Sequence, residues 1–262
     1  MLSSTWEGAE LPPTRQTIVI TGASSGLGAE MARQFAREGR DLALCARRIE
    51  RLHSLRAELE SAHPQIRVVV RALDVDDHAQ VFAAFRSFRE QLGLLDRVIV
   101  NAGIGKGVPI GCGGFSANCR TANTNFVSAL AQCEAAMEIF REQGSGHLVV
   151  ISSVSALRGF RGAMTTYAAS KAAISALAEG IRIDVLDTPI SVSTVHPGFI
   201  RTEINAAMSN VPFMVTVEAG VRSIIRAIER EKAESFVPAW PWLVFRYLLP
   251  CLPLSVLRRL AR

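Results

Sequence analysis

The stretch Thr17-Ile18-Val19-Ile20-Thr21-Gly22-Ala23-Ser24-Ser25-Gly26-Leu27-Gly28 decides the fold. Its first five residues are a short apolar, β-branched run, the composition of a strand covered on both faces. Three glycines follow at once in G-x-x-x-G-x-G spacing, and residues 29–38 put Met31, Ala32 and Phe35 on one side of a helix. Strand, glycine turn and helix together suit a pyrophosphate. The glycines admit close backbone approach, and the helix N-terminus offers free N–H groups and positive partial charge. A plain Gly/Ser turn shares the composition but has no reason to sit between a first strand and a first helix. Gly22, Ser24, Ser25, Gly26, Leu27 and Gly28 are therefore the expected nucleotide contacts of this loop.

The alternation continues along the chain. Apolar runs at 42–45, 67–70, 97–100, 147–151 and 191–195, with a weaker one near 235–237, read as further strands. Between them, Leu52, Leu55 and Leu59, then Val81, Phe82, Phe85 and Phe88, recur at helical spacing as core-facing stripes. This pattern predicts an α/β, single-domain Rossmann fold: a doubly wound, seven-stranded parallel sheet with helices on both faces. Residues 1–15 read as a flexible leader, 16–238 as the domain and 239–262 as an apolar, basic C-terminal extension.

The 262 residues are 49% apolar and 20% charged, ordinary for one globular domain. The net charge of +5 is concentrated late: no acid follows Glu234, whereas Arg246, Arg258, Arg259 and Arg262 do. No basic stripe with interleaved aromatics runs through the body, which argues against nucleic acid as a partner. Cys45, Cys112, Cys119, Cys133 and Cys251 form no CxxC pair, and neither they nor the histidines have metal-ligand spacing. No metal is expected, and reduced thiols suit the cytoplasm. Glu7 and Glu10, without an apolar stretch, do not make a secretory signal.

The second strand ends Cys45-Ala46-Arg47-Arg48, with no acid to accept ribose hydroxyls. Two guanidiniums suit a 2′-phosphate, so NADP(H) is the expected cofactor, with Arg47 the firmer contact and Arg48 alternatively a solvated first-turn residue. Asp74-Val75 follows the third strand, where the carboxylate can accept from an adenine amino group, cap the next helix, or both. Asn101-Ala102-Gly103 follows the fourth strand and is small enough for a cofactor to lie against it. Tyr167 and Lys171 stand one helical turn apart. A nearby ammonium favours the phenolate and lowers a tyrosine pKa, so the pair can exchange a proton with an oxygen substrate.

Taken in order, Thr21 through Gly28, Asp74, Asn101-Ala102-Gly103, Asn125, Ser153, Tyr167, Lys171 and Pro197-Gly198 with Thr202 resemble the short-chain dehydrogenase/reductase family over roughly residues 16–238. The Ala46-Arg47-Arg48 strand end and the Pro/Trp-rich tail look like NADP-preferring bacterial members of unassigned substrate. The resemblance implies metal-free oxidoreduction of an alcohol/carbonyl pair. It makes Tyr167 the proton donor and has Lys171 lower the tyrosine pKa and bond the nicotinamide ribose. Ser153 would polarise the carbonyl. Asn125, with Asn123 as its rival, would position a water. Thr202 would bond the carboxamide, with Pro197, Gly198 and Ile200 beside it. One position departs from the family. Members commonly carry the serine 13 residues before the tyrosine, where this chain has Val154. Ser153 fits with one extra residue in the following loop; Ser155 and Ser152 are the alternatives.

Residues 200–215 carry Ile204, Met208, Val211, Pro212, Phe213 and Met214 and read as an apolar lid for a hydrophobic substrate, although a packed helix has the same composition. The Gly-rich stretch 104–115 is expected to border the same pocket. The tail, with Trp240, Trp242, Phe245, Tyr247 and four prolines, is too interrupted for a span of roughly 20 apolar residues. It suits a subunit contact in a homodimer or homotetramer, a cover for the pocket mouth, or an anionic membrane surface. The leading expectation is NADPH-dependent reduction of a hydrophobic ketone or ketoacyl group. Oxidation of an alcohol with NADP⁺ and a non-catalytic NADP(H) sensor are the alternatives.

Overall fold

The computed structural model describes residues 14–105, 107–203 and 212–260. Its elements are β1 (Thr17–Thr21), α1 (Gly26–Arg37), β2 (Asp41–Ala46), α2 (Ile49–Ala62), β3 (Val68–Ala72), α3 (His78–Leu92), β4 (Arg97–Val100) and α4 (Phe115–Ala122). A π-helical turn (Asn123–Val127), α5 (Ser128–Gln143), β5 (Gly146–Ile151), a 3₁₀ turn (Val154–Leu157) and α6 (Met164–Asp184) follow. β6 (Ile190–Pro197), α7 (Val217–Glu229), β7 (Glu234–Val237), α8 (Ala239–Cys251) and α9 (Leu254–Leu260) complete it.

The seven strands pair in parallel in the order β3-β2-β1-β4-β5-β6-β7. This is the doubly wound sheet expected from the apolar runs. β1 shows why: Ile18 and Ile20 pack into one core with Met31, Phe35 and Ile224, while Val19 packs into the other with Phe85, Phe88 and Phe140. Alternate side chains enter opposite layers, so both must be apolar. The strand order reverses between β1 and β4. The loops leaving their C-terminal ends diverge there and open a crevice, the usual ligand position in such sheets.

The boundaries differ from the sequence reading in instructive places. α1 begins at Gly26, which is left-handed at a φ of +55°, so of the turn's glycines Gly28 is already helical. α3 is capped by Asp77, whose Oδ1 accepts from Gln80 N at 3.1 Å. Asp74 is therefore not the cap; its Oδ1 accepts from Asp76 N at 3.2 Å and it remains exposed. Most of the leader lies outside the described residues, but Arg15 is buried and its Nε bonds Glu231 Oε1 at 2.8 Å. That pair, with Arg97, Glu229 and His147, closes the end of the sheet away from the crevice.

The first half of the tail packs onto the domain. Trp242 is 6% exposed and joins Val154, Phe236, Phe199 and Phe245 in a small apolar cluster. Trp240, Leu243, Val244, Tyr247 and Leu248 form the opposite, exposed stripe of α8 at helical spacing. Among the described residues no helix is long and apolar enough to cross a membrane.

Candidate active site

β1 ends at Thr21, and the chain turns at Gly22 with φ of +67°, which glycine adopts without a Cβ penalty. A Cβ at Gly22 would stand 2.9 Å from the Ala102 Cα, so the loops after β1 and β4 meet backbone to backbone. Thr21 Oγ1 accepts the N–H groups of Asn101 and Ala102 at 3.0 Å each, and Asn101 Nδ2 donates to Thr21 O at 2.8 Å. A Cβ at Gly28 would lie 2.5 Å from the Gly22 carbonyl. Gly28 thus lets α1 pack against the turn and does not itself line the crevice.

The crevice has two lobes. One is lined by Gly22, Ser25, Gly26, Leu27, Asn101, Ala102, Gly103, Ser153, Tyr167, Lys171, Pro197, Gly198, Ile200 and Thr202. The other adds Ser24, Arg47, Arg48, Asp74 and Val75. Gly22, Ser25, Ala102 and Gly103 border both, so the lobes join over the glycine turn. Of the expected site residues, Gly28 and Asn125 alone stand behind this lining.

The two arginines differ. Arg48 Nη2 donates to Ser25 Oγ at 2.7 Å and to Ser24 Oγ at 3.1 Å, and Nη1 lies 3.6 Å from Glu203. Arg48 therefore braces the glycine loop. Arg47 is exposed and has no partner among the described residues.

Tyr167 and Lys171 lie one turn apart on α6. Lys171 is buried, its Nζ donates to Ile151 O at 2.8 Å, and burial pushes its pKa down to about 8. The Tyr167 phenol and Ser153 line the same crevice. Burial raises the phenol pKa above its ordinary value, and the neighbouring Ser153 hydroxyl offsets part of that rise. The expected lowering by Lys171 is not produced by the protein's own groups. The ammonium turns to the Ile151 carbonyl and stands 6.0 Å from the tyrosine ring centre.

The three serines separate clearly. Ser152 Oγ donates to Lys171 O at 3.0 Å and lies 2.7 Å from Ser175 Oγ, turned towards α6. Ser155 sends its backbone N–H to Ser153 Oγ at 3.1 Å. Ser153 is the one near enough to the phenol to act on its pKa. The asparagines separate too. Asn125 is 1% exposed on the π turn. Its Oδ1 accepts from Ile104 N at 2.8 Å, and its Nδ2 donates to Ile104 O at 2.9 Å and Ser170 Oγ at 3.3 Å. It holds the loop after β4 beside Lys171. Asn123 is only partly buried.

Of the expected lid, Ile204, Met208 and Val211 lie outside the described residues, as does Lys106 in the Gly-rich stretch. Phe213 is half-exposed and meets the Trp242 ring edge-on at 6.5 Å between centroids. Sequence reasoning missed Asp76, which accepts from Thr124 Oγ1 at 2.9 Å and Ser128 Oγ at 2.6 Å. It also missed His196, although a polar residue in an apolar strand beside Pro197-Gly198 is a usable signal. Trp242 against Gly198 had no local signal, because the contact joins distant segments.

Residues 16–211 match the family model for short chain dehydrogenase. An uncharacterized oxidoreductase of Mycobacterium tuberculosis is 49% identical over 248 residues, 95% of this chain and 98% of its own. The short-chain dehydrogenase of Sphingobium yanoikuyae in complex with NADPH superposes with a TM-score of 0.78 at 28% identity, covering 90% of this chain and 92% of its own. The bulky-bulky ketone specific alcohol dehydrogenase of Comamonas testosteroni gives 0.75 at 26%, covering 90% and 91%. The chain belongs to the short-chain dehydrogenase/reductase family and is an NAD(P)-dependent oxidoreductase of small molecules.

Proposed function

We propose that the protein reduces a hydrophobic ketone or ketoacyl carbonyl to the alcohol with NADPH. The observation that carries this reading is that Ser153, Tyr167 and Lys171 line one crevice with the glycine turn. The residues fit a dinucleotide: the elongated crevice, the backbone at Gly22 and the N-terminus of α1 suit its phosphates. Arg47, without a partner among the described residues, suits a 2′-phosphate, and Asp74 and Val75 border the same lobe. The Sphingobium relative's complex with NADPH supports that preference.

When bound, the nicotinamide cofactor supplies the hydride. Tyr167 gives its phenolic proton to the substrate oxygen, and Ser153 Oγ donates to that oxygen as charge develops on it. Lys171, held at the Ile151 carbonyl, keeps a positive charge near the phenol as it loses its proton. Asn125 fixes the neighbouring loop, and Thr202 with Pro197, Gly198 and Ile200 forms the wall beyond Lys171. The Comamonas enzyme's stated ketone specificity supports a bulky, hydrophobic substrate.

The test is a panel of hydrophobic ketones and ketoacyl thioesters with NADPH and NADH in parallel, for the wild type and Tyr167→Phe. Turnover with NADPH that falls by about 10²–10⁴ in the variant is the expected result. Unchanged NADPH oxidation would sink the reading, and NADPH binding without turnover of any carbonyl or alcohol would revive a sensor.

The surroundings are proposed on the same footing. The enzyme works as a homodimer or homotetramer in the cytoplasm. Phe115, Ile183 and Leu186, 81, 64 and 69% exposed, offer apolar surface that a second copy would cover. The extension 239–262 touches anionic membrane through the exposed stripe of α8, with Arg258 and Arg259 beside it.

A further inference from the structure

We infer that α8 braces the catalytic serine, with His196 as the positioning residue that carries its hold to Ser153. The inference rests on the role proposed for Ser153 above. His196 is 2% exposed on β6, and its ring stacks on Phe236 of β7 at 4.6 Å and 8°. Its Nδ1 lies 3.1 Å from the Ser153 main-chain oxygen. A carbonyl oxygen only accepts, so Nδ1 carries a hydrogen and donates it. On the far side, Nε2 stands 2.9 Å from Glu234 Oε1. That contact is the largest cause holding the Glu234 carboxyl below its ordinary pKa. The other Glu234 oxygen is 2.5 Å from Arg246 Nη2 on α8, and the same guanidinium lies 5.2 Å over the Phe236 ring. A continuous path thus runs from α8 through β7 and β6 to the serine.

Two further contacts of α8 flank this path. The Trp242 indole lies so close over Gly198 that a Cβ there would overlap it. Arg158, just after the 3₁₀ turn that follows Ser153, donates Nη1 to Leu249 O at 2.7 Å and Pro250 O at 2.8 Å. The helix therefore holds the serine segment and the Pro197-Gly198 loop together. The Ser153 hydroxyl must meet both the phenol and the substrate oxygen. Hydrogen bonds weaken steeply with angle, so a free swing of the Ser153 carbonyl would cost alignment.

The experiment uses the full chain with Arg246→Ala, Arg246→Lys and His196→Gln. It reads kcat and KM with NADPH and the ketone that the wild type reduces fastest, NADPH affinity by fluorescence titration, and amide hydrogen exchange of residues 152–157. Arg246→Ala and His196→Gln should lower kcat about tenfold with both KM values and NADPH affinity within twofold. Exchange across 152–157 should quicken several-fold, and Arg246→Lys should recover most of kcat. Unchanged exchange and kcat would overturn the brace. So would a loss spread over KM, NADPH affinity and melting temperature, which marks general packing. If His196→Gln does not fold, Arg246→Ala at the surface decides alone. If the wild type reduces no ketone, the exchange arm still decides the brace, and only the proposed reaction falls.

Discussion

Replacing Lys171 with methionine should make the protein more stable while silencing it. Burial takes the Lys171 ammonium from an ordinary 10.5 to about 8. Each pH unit of that drop is about 1.36 kcal/mol, so holding the charge in the fold costs on the order of 3 kcal/mol at neutral pH. Methionine removes that cost and also the bond to the Ile151 carbonyl, which is worth about 1.5–3 kcal/mol. The net gain at pH 7 is therefore about 1 kcal/mol. The pH dependence is the sharper signature. Below about 8 both folded and unfolded chains carry the proton and the cost is complete. As pH rises from about 8 to 10.5 the folded chain loses the proton first, so the wild type's handicap shrinks. The advantage of Lys171→Met should thus vanish or reverse by the top of that range. Urea unfolding of both proteins at neutral and alkaline pH measures the difference, and titrations common to both cancel. A variant less stable at pH 7, or a difference flat with pH, would refute the reasoning that Lys171 is held against a desolvation cost.

Arg47→Ala should raise the KM for NADPH roughly ten- to a hundredfold, the loss of a charge-assisted bond, and leave NADH almost untouched; parallel kinetics with the two cofactors check it, and equal losses would point to loop damage instead. Leu243→Glu with Leu248→Glu should abolish co-sedimentation with anionic phosphatidylglycerol vesicles, since both side chains stand about half-exposed on the outer stripe of α8. Equal co-sedimentation of the double variant would count against lipid contact.

Legibility in the sequence follows the range of the interaction. The sheet was readable because each buried strand must be apolar on both faces, and that constraint is local. The glycine turn was readable because backbone contact between Gly22 and Ala102 excludes a side chain. Tyr167 and Lys171 were readable because one helical turn sets their spacing. Asp74 was misread as a possible cap because Asp74 and Asp77 both precede α3, and only the fold shows which carboxylate reaches Gln80 N. The choice among Ser152, Ser153 and Ser155 turns on which way the strand end points after Ile151, a matter of one dihedral. The brace by Arg246, Glu234 and His196 joins three elements that are adjacent only after β5, β6, β7 and α8 assemble. No spacing rule covers it.

The electrostatics of the site bear on its proton transfer. Burial acts on both members of the pair and favours the neutral form of each: it raises the Tyr167 pKa and lowers that of Lys171 to about 8. Carbonyl reduction ends with a phenolate and alcohol oxidation starts from one, so both directions meet a setting that resists it. The Ser153 hydroxyl opposes that resistance without removing it. The influence of the Ser153 hydroxyl is short-range, so its help depends on how firmly the serine is held. The electrostatic argument and the α8 brace therefore meet at the same atom. A loosened Ser153 leaves a phenol harder to ionise, slowing the proton transfer while cofactor contacts at Gly22 and Arg47 stay intact.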